Sequence, residues 1–391
     1  NQRYDTAFCQ LWRIITSSKR PDNWLNLGVN PQAHWSKIHP KRQLAKSGER
    51  MTKRSVYLAA GGTGGHVFPA LAVAEKLNLR GYQTHFFTDQ RGVKLLGGEA
   101  ALAVKLHIIA AASPFQQGII RRTVATTKLI IGAIASFYQL LFKRPALIIG
   151  FGGYPSFAPL IAARLLGIPI LLHEQNAFLG RANYTLAKFS DALALSWPDT
   201  KNLPANIASE LTGIPVRQAF FDAAKTPYKL DPNFDVNLTV LGGSQGALIL
   251  GSLIPDAIAM LEEPLRRRLY IRQQARPEQI VSLQGQYDAL GVTADIRQFY
   301  ADMPTLLAKS HLVICRSGAS SVAELAAIGR PALLLPLPTA TDDHQRVNAM
   351  QMQNAGGGIC LDEKKLSAAI LATRIIQLLN TRYWPRQLRW E

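Results

Sequence analysis

At two places the chain passes from a short apolar strand into a run of glycines and then into a helix. Ser55–Ala60 leads into Gly61-Gly62-Thr63-Gly64-Gly65-His66, and Leu238–Leu241 leads into Gly242-Gly243-Ser244-Gln245-Gly246. Glycines at the end of a strand let backbone N–H groups approach a phosphate, and the N-terminus of the following helix is electropositive. Each such dipole contributes about 0.3–2 kcal/mol, so a loop of this kind assists a ligand without holding it alone. Neither loop carries the dinucleotide fingerprint, which would require glycine at Val67 or at Thr63, and neither carries a Walker lysine. One such loop reads equally well as a tight turn without a ligand. Two in mirrored positions favour ligands.

Around these loops, strand-length apolar runs (Gln83–Thr88, Ala146–Gly150, Ile168–Leu172) alternate with helix-period segments, the first being Pro69–Leu79, stopped by Gly81. A second series contains Leu312–Cys315, the loop Arg316–Ser321, a helix through Ile328 and the strand Ala332–Leu335. Alternation of this kind predicts an α/β fold with two Rossmann-like, doubly wound parallel sheets facing across a cleft, and ligands at the carboxyl ends of the strands. The polar, proline-bearing stretch Leu211–Val236, with Pro215, Pro227 and Pro232, is the expected linker. The predicted division is an N-terminal domain over 54–215, a C-terminal domain over 216–370 and a closing helix over 371–391 that returns to the N-terminal domain. Residues 1–50 are basic and show no sustained period, and Met51-Thr-Lys-Arg runs straight into the first strand. They read as an appended segment outside the fold, with a true basic arm as the other reading.

At 391 residues, 48% hydrophobic and 18% charged, the chain is long enough for two globular domains. Its formal charge is +18, of which residues 1–54 carry +8. Such a surface suits anionic membranes or phosphorylated substrates. Nucleic acid is not expected, because no recognition helix, RNP-like motif or aromatic–basic repeat is present. Cys9, Cys315 and Cys360 lie too far apart for a thiolate metal site or a disulfide framework, which fits a reducing compartment. Asp342-Asp343 has diverging carboxylates and no His/Cys cluster beside it, so it reads as a charged loop and no metal site is expected. His66 opens a helix, where imidazolium is disfavoured; it is either a capping residue or a neutral imidazole able to act as a general base.

Five motifs occur in order: GGTGGHVFP at Gly61–Pro69, HEQNA at His173–Ala177, GIPVR at Gly213–Arg217, GGSQGA at Gly242–Ala247 and RSGASSVAE at Arg316–Glu324. Together they resemble glycosyltransferase family 28, and within it the peptidoglycan N-acetylglucosaminyltransferases with a GT-B fold. The likeness runs from about Arg54 to about Leu371. It implies inverting transfer of N-acetylglucosamine from UDP-N-acetylglucosamine to the C4 hydroxyl of an undecaprenyl-diphosphate-linked N-acetylmuramoyl-pentapeptide (lipid I), giving lipid II for the cell wall. It implies roles residue by residue: Thr63, Gly64 and Gly65 at the acceptor diphosphate and donor sugar, and His66 as general base. Asn176 would touch the donor sugar, Arg217 would be the interdomain arginine, and Ser244 with Gln245 would meet the UDP phosphates. Tyr300 would contact uracil through its backbone. Ala319, Ser320, Ser321, Val322, Ala323 and Glu324 would form the nucleoside turn, Glu324 accepting from the ribose hydroxyls. Gln345 would read sugar hydroxyls, with Asn348 one turn on. No cofactor would be obligatory, because preorganised amides meet the leaving-group charge. Further wall-synthesis and division proteins would be partners.

The chain departs from the family at Arg272-Gln273-Gln274-Ala275-Arg276, which keeps only the glutamine of the usual turn, and at its end, where Pro385 would interrupt a helix. The charge-free run Leu129–Phe142 has 14 residues, short of the roughly 20 needed to span a bilayer. With Arg121, Arg122, Lys128, Lys143 and Arg144 around it, its Leu129, Ile130, Ile134, Phe137, Leu140 and Leu141 could lie in the membrane interface or be buried in the first domain. The lipid-linked acceptor favours the interface, and hence peripheral attachment at the cytoplasmic face. Other readings of the same fold are a UDP-N-acetylglucosamine 2-epimerase, a diacylglycerol glycosyltransferase and a non-catalytic UDP-sugar-binding scaffold.

Overall fold

The computed structural model describes residues 55–96, 104–110, 119–205, 207–230, 235–242, 248–340 and 343–380, with the side chains of 119–122 left aside. The basic N-terminal segment, Ser244 and Gln245, Asp342, the side chains of Arg121 and Arg122 and the ending 381–391 fall outside this set.

The first lobe is built on β1 (Ser55–Ala59), β2 (Gln83–Thr88), β3 (Lys105–Ile108), β4 (Leu147–Gly150), β5 (Ile170–Glu174), β6 (Ala192–Leu195) and β7 (Ser209–Leu211), ordered β3-β2-β1-β4-β5-β6-β7 and parallel throughout. The strands are short and apolar because both faces are covered, as parallel sheets require. On one face Leu58, Phe86 and Ile149 pack with Val67, Leu71 and Leu77 of α1 (Gly64–Leu79). On the other, Tyr57, Phe87 and Ile148 pack with Leu160 and Ala163 of α4 (Phe157–Leu165) and Leu140 of α3 (Ile119–Phe142). A short helix α2 (Gln90–Leu96) follows β2, and α5 (Arg181–Ala187) lies between β5 and β6.

The linker carries α6 (Gln218–Ala223). The second lobe comprises β8 (Val236–Leu241), α7 (Leu248–Ala259), α8 (Glu263–Arg266), β9 (Leu269–Gln274), α9 (Pro277–Ala289), β10 (Thr293–Arg297), α10 (Met303–Lys309), β11 (Leu312–Cys315), α11 (Ala319–Ile328), β12 (Ala332–Leu334), α12 (His344–Asn354), β13 (Gly358–Cys360) and α13 (Ala368–Asn380). Its parallel sheet runs β10-β9-β8-β11-β12-β13. The expectation of two doubly wound parallel sheets is met. In each the strand order reverses beside the first strand, between β1 and β4 and between β8 and β11. The first glycine loop follows β1 at such a switch point, where α/β sheets place ligands; the second follows β8 in sequence, with residues 243–247 outside the described set.

Three details differ from the sequence reading. Helix α1 starts at Gly64 instead of Pro69, so Gly64 and Gly65 form its first turn and their amides have no helical carbonyl behind them. Residues Arg272–Gln274 are strand, not turn; Gln273 is buried and accepts from the Tyr287 hydroxyl at 2.5 Å. Over its described length α13 belongs to the second lobe, with Leu371, Ile375 and Leu378 in that core; any return to the first lobe would come after Asn380, outside the described residues.

Candidate active site

The lobes meet where α1 touches α11, and small residues allow the approach. Ala319 and Ala323 of α11 pack with Ala177, Trp197 and Ile214 of the first lobe and linker. The other positions of the expected nucleoside turn point three ways. Val322 enters the second-lobe core, Ser320 and Ser321 stay half-buried at the first turn, and Glu324 points towards Arg217.

In the first glycine loop, Gly62 has φ +82° and its N–H donates to Asp89 Oδ1 at 3.3 Å. That amide is therefore spent within the protein, and the available nest narrows to Thr63, Gly64 and Gly65. A Cβ on Gly61 would lie 2.6 Å from Pro155 Cγ, so packing dictates that glycine. At Gly65 the nearest atom to an added Cβ is Thr63 Oγ1 at 3.7 Å. Packing does not forbid a side chain there, whereas a close ligand would. Gly318, opening α11, is likewise in open space.

His66 sits in the first turn of α1. Its Nδ1 lies 3.2 Å from the Gly61 carbonyl and 3.3 Å from Thr63 Oγ1. Donation from Nδ1–H to that carbonyl leaves the Nε2 lone pair as the basic site. The backbone of Gly152 and Gly153, at φ +93° and +76°, passes so close that a Cβ on either would meet the ring at 3.2–3.3 Å. Burial lowers the His66 pKa; Glu174 and the Gly61 carbonyl oppose the shift, and His344, across from it on α12, adds to the lowering. The ring is thus held neutral, in the form a base requires.

Asn176 is fixed by a residue whose role the sequence did not reveal. Buried Glu174 accepts from Asn176 N at 2.9 Å and Asn176 Nδ2 at 3.1 Å through Oε1, and from Gly180 N at 3.0 Å and Asn183 Nδ2 at 2.9 Å through Oε2. His173 next to it is a neutral strut. Its Nε2–H donates to the Gly213 carbonyl at 3.0 Å, its Nδ1 accepts from Gln175 at 3.1 Å, and burial pushes its pKa down to about 4. This ties β5 to the start of the linker.

Arg217 spans the interface. Its guanidinium lies 5.2 Å from the Phe68 ring and 4.9 Å from Phe220, and its Nη2 is 3.9 Å from Glu324 Oε1. Burial lifts Glu324 to about 7, with Arg217 opposing. Gln345 and Asn348 flank buried Ser317: Ser317 Oγ donates to the Gln345 carbonyl at 2.8 Å, and Asn348 Nδ2 donates to the Ser317 carbonyl at 3.2 Å. Gln345 Oε1 accepts from Leu337 N at 3.0 Å, leaving its amide N–H groups for a ligand. Tyr300 is buried with its hydroxyl on the Asp295 carbonyl at 2.6 Å, so only its backbone could serve a base. Ser244 and Gln245 lie outside the described residues.

The structure therefore brings Thr63, His66, Arg217, Glu324 and the Gln345 turn to the lobe interface. Glu174, Asn183, Ser317 and Phe68 support them; Glu174, Ser317 and Phe68 stand within the motifs quoted above but received no role there, and Asn183 lies in none of them. Two hollows of about 220 Å³ lie elsewhere. One contains Arg330, whose guanidinium is spent on the carbonyls of Ala308, Ile328 and Thr226.

Two parallel-sheet α/β lobes that meet where a neutral histidine at the first glycine loop and a buried carboxylate on α11 come to the interface define the GT-B architecture. The N-terminal domain of glycosyltransferase family 28 matches residues 56–195 and its C-terminal domain residues 237–385. The chain is 42% identical over 333 residues to a UDP-N-acetylglucosamine–N-acetylmuramyl-(pentapeptide) pyrophosphoryl-undecaprenol N-acetylglucosamine transferase of Rhodospirillum centenum, covering 84% of this chain and 87% of that protein. A protein of the same name from Paramagnetospirillum magneticum is 43% identical over 331 residues, covering 84% and 89%. The crystal structure of MurG from Acinetobacter baumannii superposes with a TM-score of 0.61 at 29% identity, covering 86% of this chain and 92% of that one. The chain belongs to glycosyltransferase family 28, among the pyrophosphoryl-undecaprenol N-acetylglucosamine transferases.

Proposed function

We propose that this enzyme transfers N-acetylglucosamine from UDP-N-acetylglucosamine to the C4 hydroxyl of N-acetylmuramoyl-pentapeptide on undecaprenyl diphosphate, with inversion. The observation that carries this reading is His66, held neutral by burial with Nδ1 on the Gly61 carbonyl, at the edge of the acceptor-side loop and opposite α12. Nε2 takes the proton from the C4 hydroxyl as its oxygen bonds to the anomeric carbon, and the bond from that carbon to UDP breaks. The amides of Thr63, Gly64 and Gly65 face the acceptor diphosphate; the second glycine loop, with Ser244 and Gln245, faces the UDP phosphates. Glu324 takes the ribose hydroxyls, the Tyr300 backbone the uracil, and Asn176 and Gln345 the donor sugar. Fixed dipoles meet the leaving-group charge, so no cofactor is obligatory.

A lipid-borne acceptor calls for a membrane-facing surface, and α3 supplies one. The helix is 24 residues long, and its segment Thr123–Phe142 has the length and hydropathy of a membrane span. The 14-residue estimate fell short because basic residues interrupt the run without interrupting the helix. One face is packed inward, through Ala125, Gly132, Ser136 and Leu140. A Cβ on Gly132 would stand 2.8 Å from the Ala110 carbonyl, so α3 is fastened to its own domain. The opposite face exposes Val124, Ile130, Ile131, Ile134, Tyr138, Leu141 and Phe142. Leu140, expected on that outer face, is buried, while Leu129 and Phe137 are half-buried. With Lys128, Lys143 and Arg144 alongside, this stripe docks the enzyme peripherally on the cytoplasmic leaflet.

An acceptor panel tests the assignment. Labelled donor should transfer to a lipid I analogue and release UDP, but neither transfer to diacylglycerol nor convert to the manno epimer without acceptor. Epimer formation, or preference for diacylglycerol, would replace this reading. UDP binding without any transfer would leave a scaffold.

A further inference from the structure

Phe68 lies one turn after Gly64 on α1, and its ring folds back over that glycine. A Cβ on Gly64 would come within 2.8 Å of Phe68 Cε2, so glycine is what lets the ring settle on the first turn of the acceptor-side loop. Away from that contact the ring meets the Arg217 guanidinium at 5.2 Å, and Phe220 approaches the same guanidinium at 4.9 Å. Arg217 then reaches to 3.9 Å from Glu324, while its buried Nε finds no acceptor among the described residues. Glu75, two turns along α1, adds a second negative field at Arg217. A continuous line of contacts, Gly64–Phe68–Arg217–Glu324, thus runs from the acceptor-side loop of one lobe to the nucleoside helix of the other. An arginine in water samples many rotamers. Here the aromatic ring and a carboxylate select one, and desolvation strengthens both contacts.

We infer that Phe68 is a positioning residue for donor recognition: its ring holds Arg217 in the pose that presents the guanidinium to the donor and to Glu324. The inference rests on the reading of this cleft as a UDP-sugar site. Packing alone would need only an apolar side chain at 68. Holding a cation needs the ring face.

Calorimetric titration with UDP separates the two. Phe68→Leu and Phe68→Met keep an apolar side chain and lose the ring; each should weaken UDP binding about tenfold, whereas Phe68→Tyr should stay within about twofold. In an Arg217→Ala background, Phe68→Leu should cost nothing further, because the ring then has no cation to hold. Unchanged UDP affinity in the ring-deleted variants, or losses that simply add to that of Arg217→Ala, would overturn the inference. So would failure of both ring-deleted variants to reach the wild-type melting temperature, since the ring would then serve the fold. UDP binding is read without acceptor, so a chain that binds UDP yet ignores lipid I analogues would sink the substrate assignment and leave this test standing.

Discussion

Arg217 Nη2 and Glu324 Oε1 stand 3.9 Å apart across the junction of linker and second lobe, at the outer limit of an ion pair. The guanidinium is too far to cancel the cost of burying the carboxylate, and Glu324 is left with its pKa raised to about 7. Near neutrality the group is divided between its two forms. In the proposed donor site the ribose hydroxyls donate to the ionised one, so donor binding must expel a proton wherever Glu324 is protonated. The affinity for UDP-N-acetylglucosamine should therefore fall as pH drops below 7, approaching about tenfold per unit well below the pKa. Calorimetry from pH 5.5 to 8 (about the useful range for this group) checks it; Glu324→Gln should bind more weakly and without that slope. A flat profile for the unaltered enzyme would show that the carboxylate does not meet the donor.

In the proposed reaction Glu174 acts through Asn176. Truncation to alanine removes the acceptor of four hydrogen bonds, from Asn176 N and Nδ2, Gly180 N and Asn183 Nδ2. Glu174→Ala should cost about 2–4 kcal/mol of stability. Glu174→Gln, which keeps the shape but exchanges an acceptor for a donor, should lose less stability and still lower turnover by loosening Asn176. Thermal melts beside transfer assays read both effects. A Glu174→Gln enzyme with wild-type turnover would remove Glu174 from the site.

A pair of histidines under α3 makes stability depend on pH. His85 Nδ1 is 2.8 Å from His107 Nε2, Tyr57 stacks on His85 at 4.3 Å, and Gln139 of α3 reaches His107 Nδ1 at 2.6 Å. Burial, the neighbouring imidazole, Lys105 and Lys143 hold His85 down to about 4, and burial with the same lysines lowers His107. A folded pKa below the unfolded value of about 6.5 means that the unfolded chain binds more protons in between. The stabilisation from these groups is present above pH 6.5 and drains away as pH falls towards 4, by an amount on the order of 2 kcal/mol for His85. Melting temperatures should decline over that window, and His85→Phe should flatten the decline. An equal slope in both proteins would acquit the pair.

The proposed docking stripe on α3 predicts a directional defect. Ile131→Glu with Ile134→Glu puts two carboxylates on the exposed face of α3 and should sharply reduce sedimentation with anionic vesicles while sparing UDP affinity. Lys143→Glu should weaken binding less, by about 1–2 kcal/mol, and only at low salt. Undiminished sedimentation of the double variant would move the docking surface elsewhere.

What could be read from the chain followed distance along it. The loop at Gly61–Gly65 and the alternation around it are local, and the two parallel sheets follow from them. The extent of α3 was hidden because Lys128 breaks its charge-free run while standing exposed on the helix. Glu174 stood in a motif already singled out, but its partners Gly180 and Asn183 meet it only once β5 and α5 are placed. Phe68 and Arg217 are far apart in sequence, and no periodicity pairs them. Asp89 removing the Gly62 amide from the nest is equally a product of tertiary placement.

The account turns on His66 as the base. The most direct measurement is single-turnover transfer to a lipid I analogue at saturating donor, comparing the unaltered enzyme with His66→Ala and titrating UDP into both. General-base catalysis predicts that transfer slows by about 10²–10⁴ while the two UDP affinities agree within about twofold. Transfer by His66→Ala at the unaltered rate would contradict it.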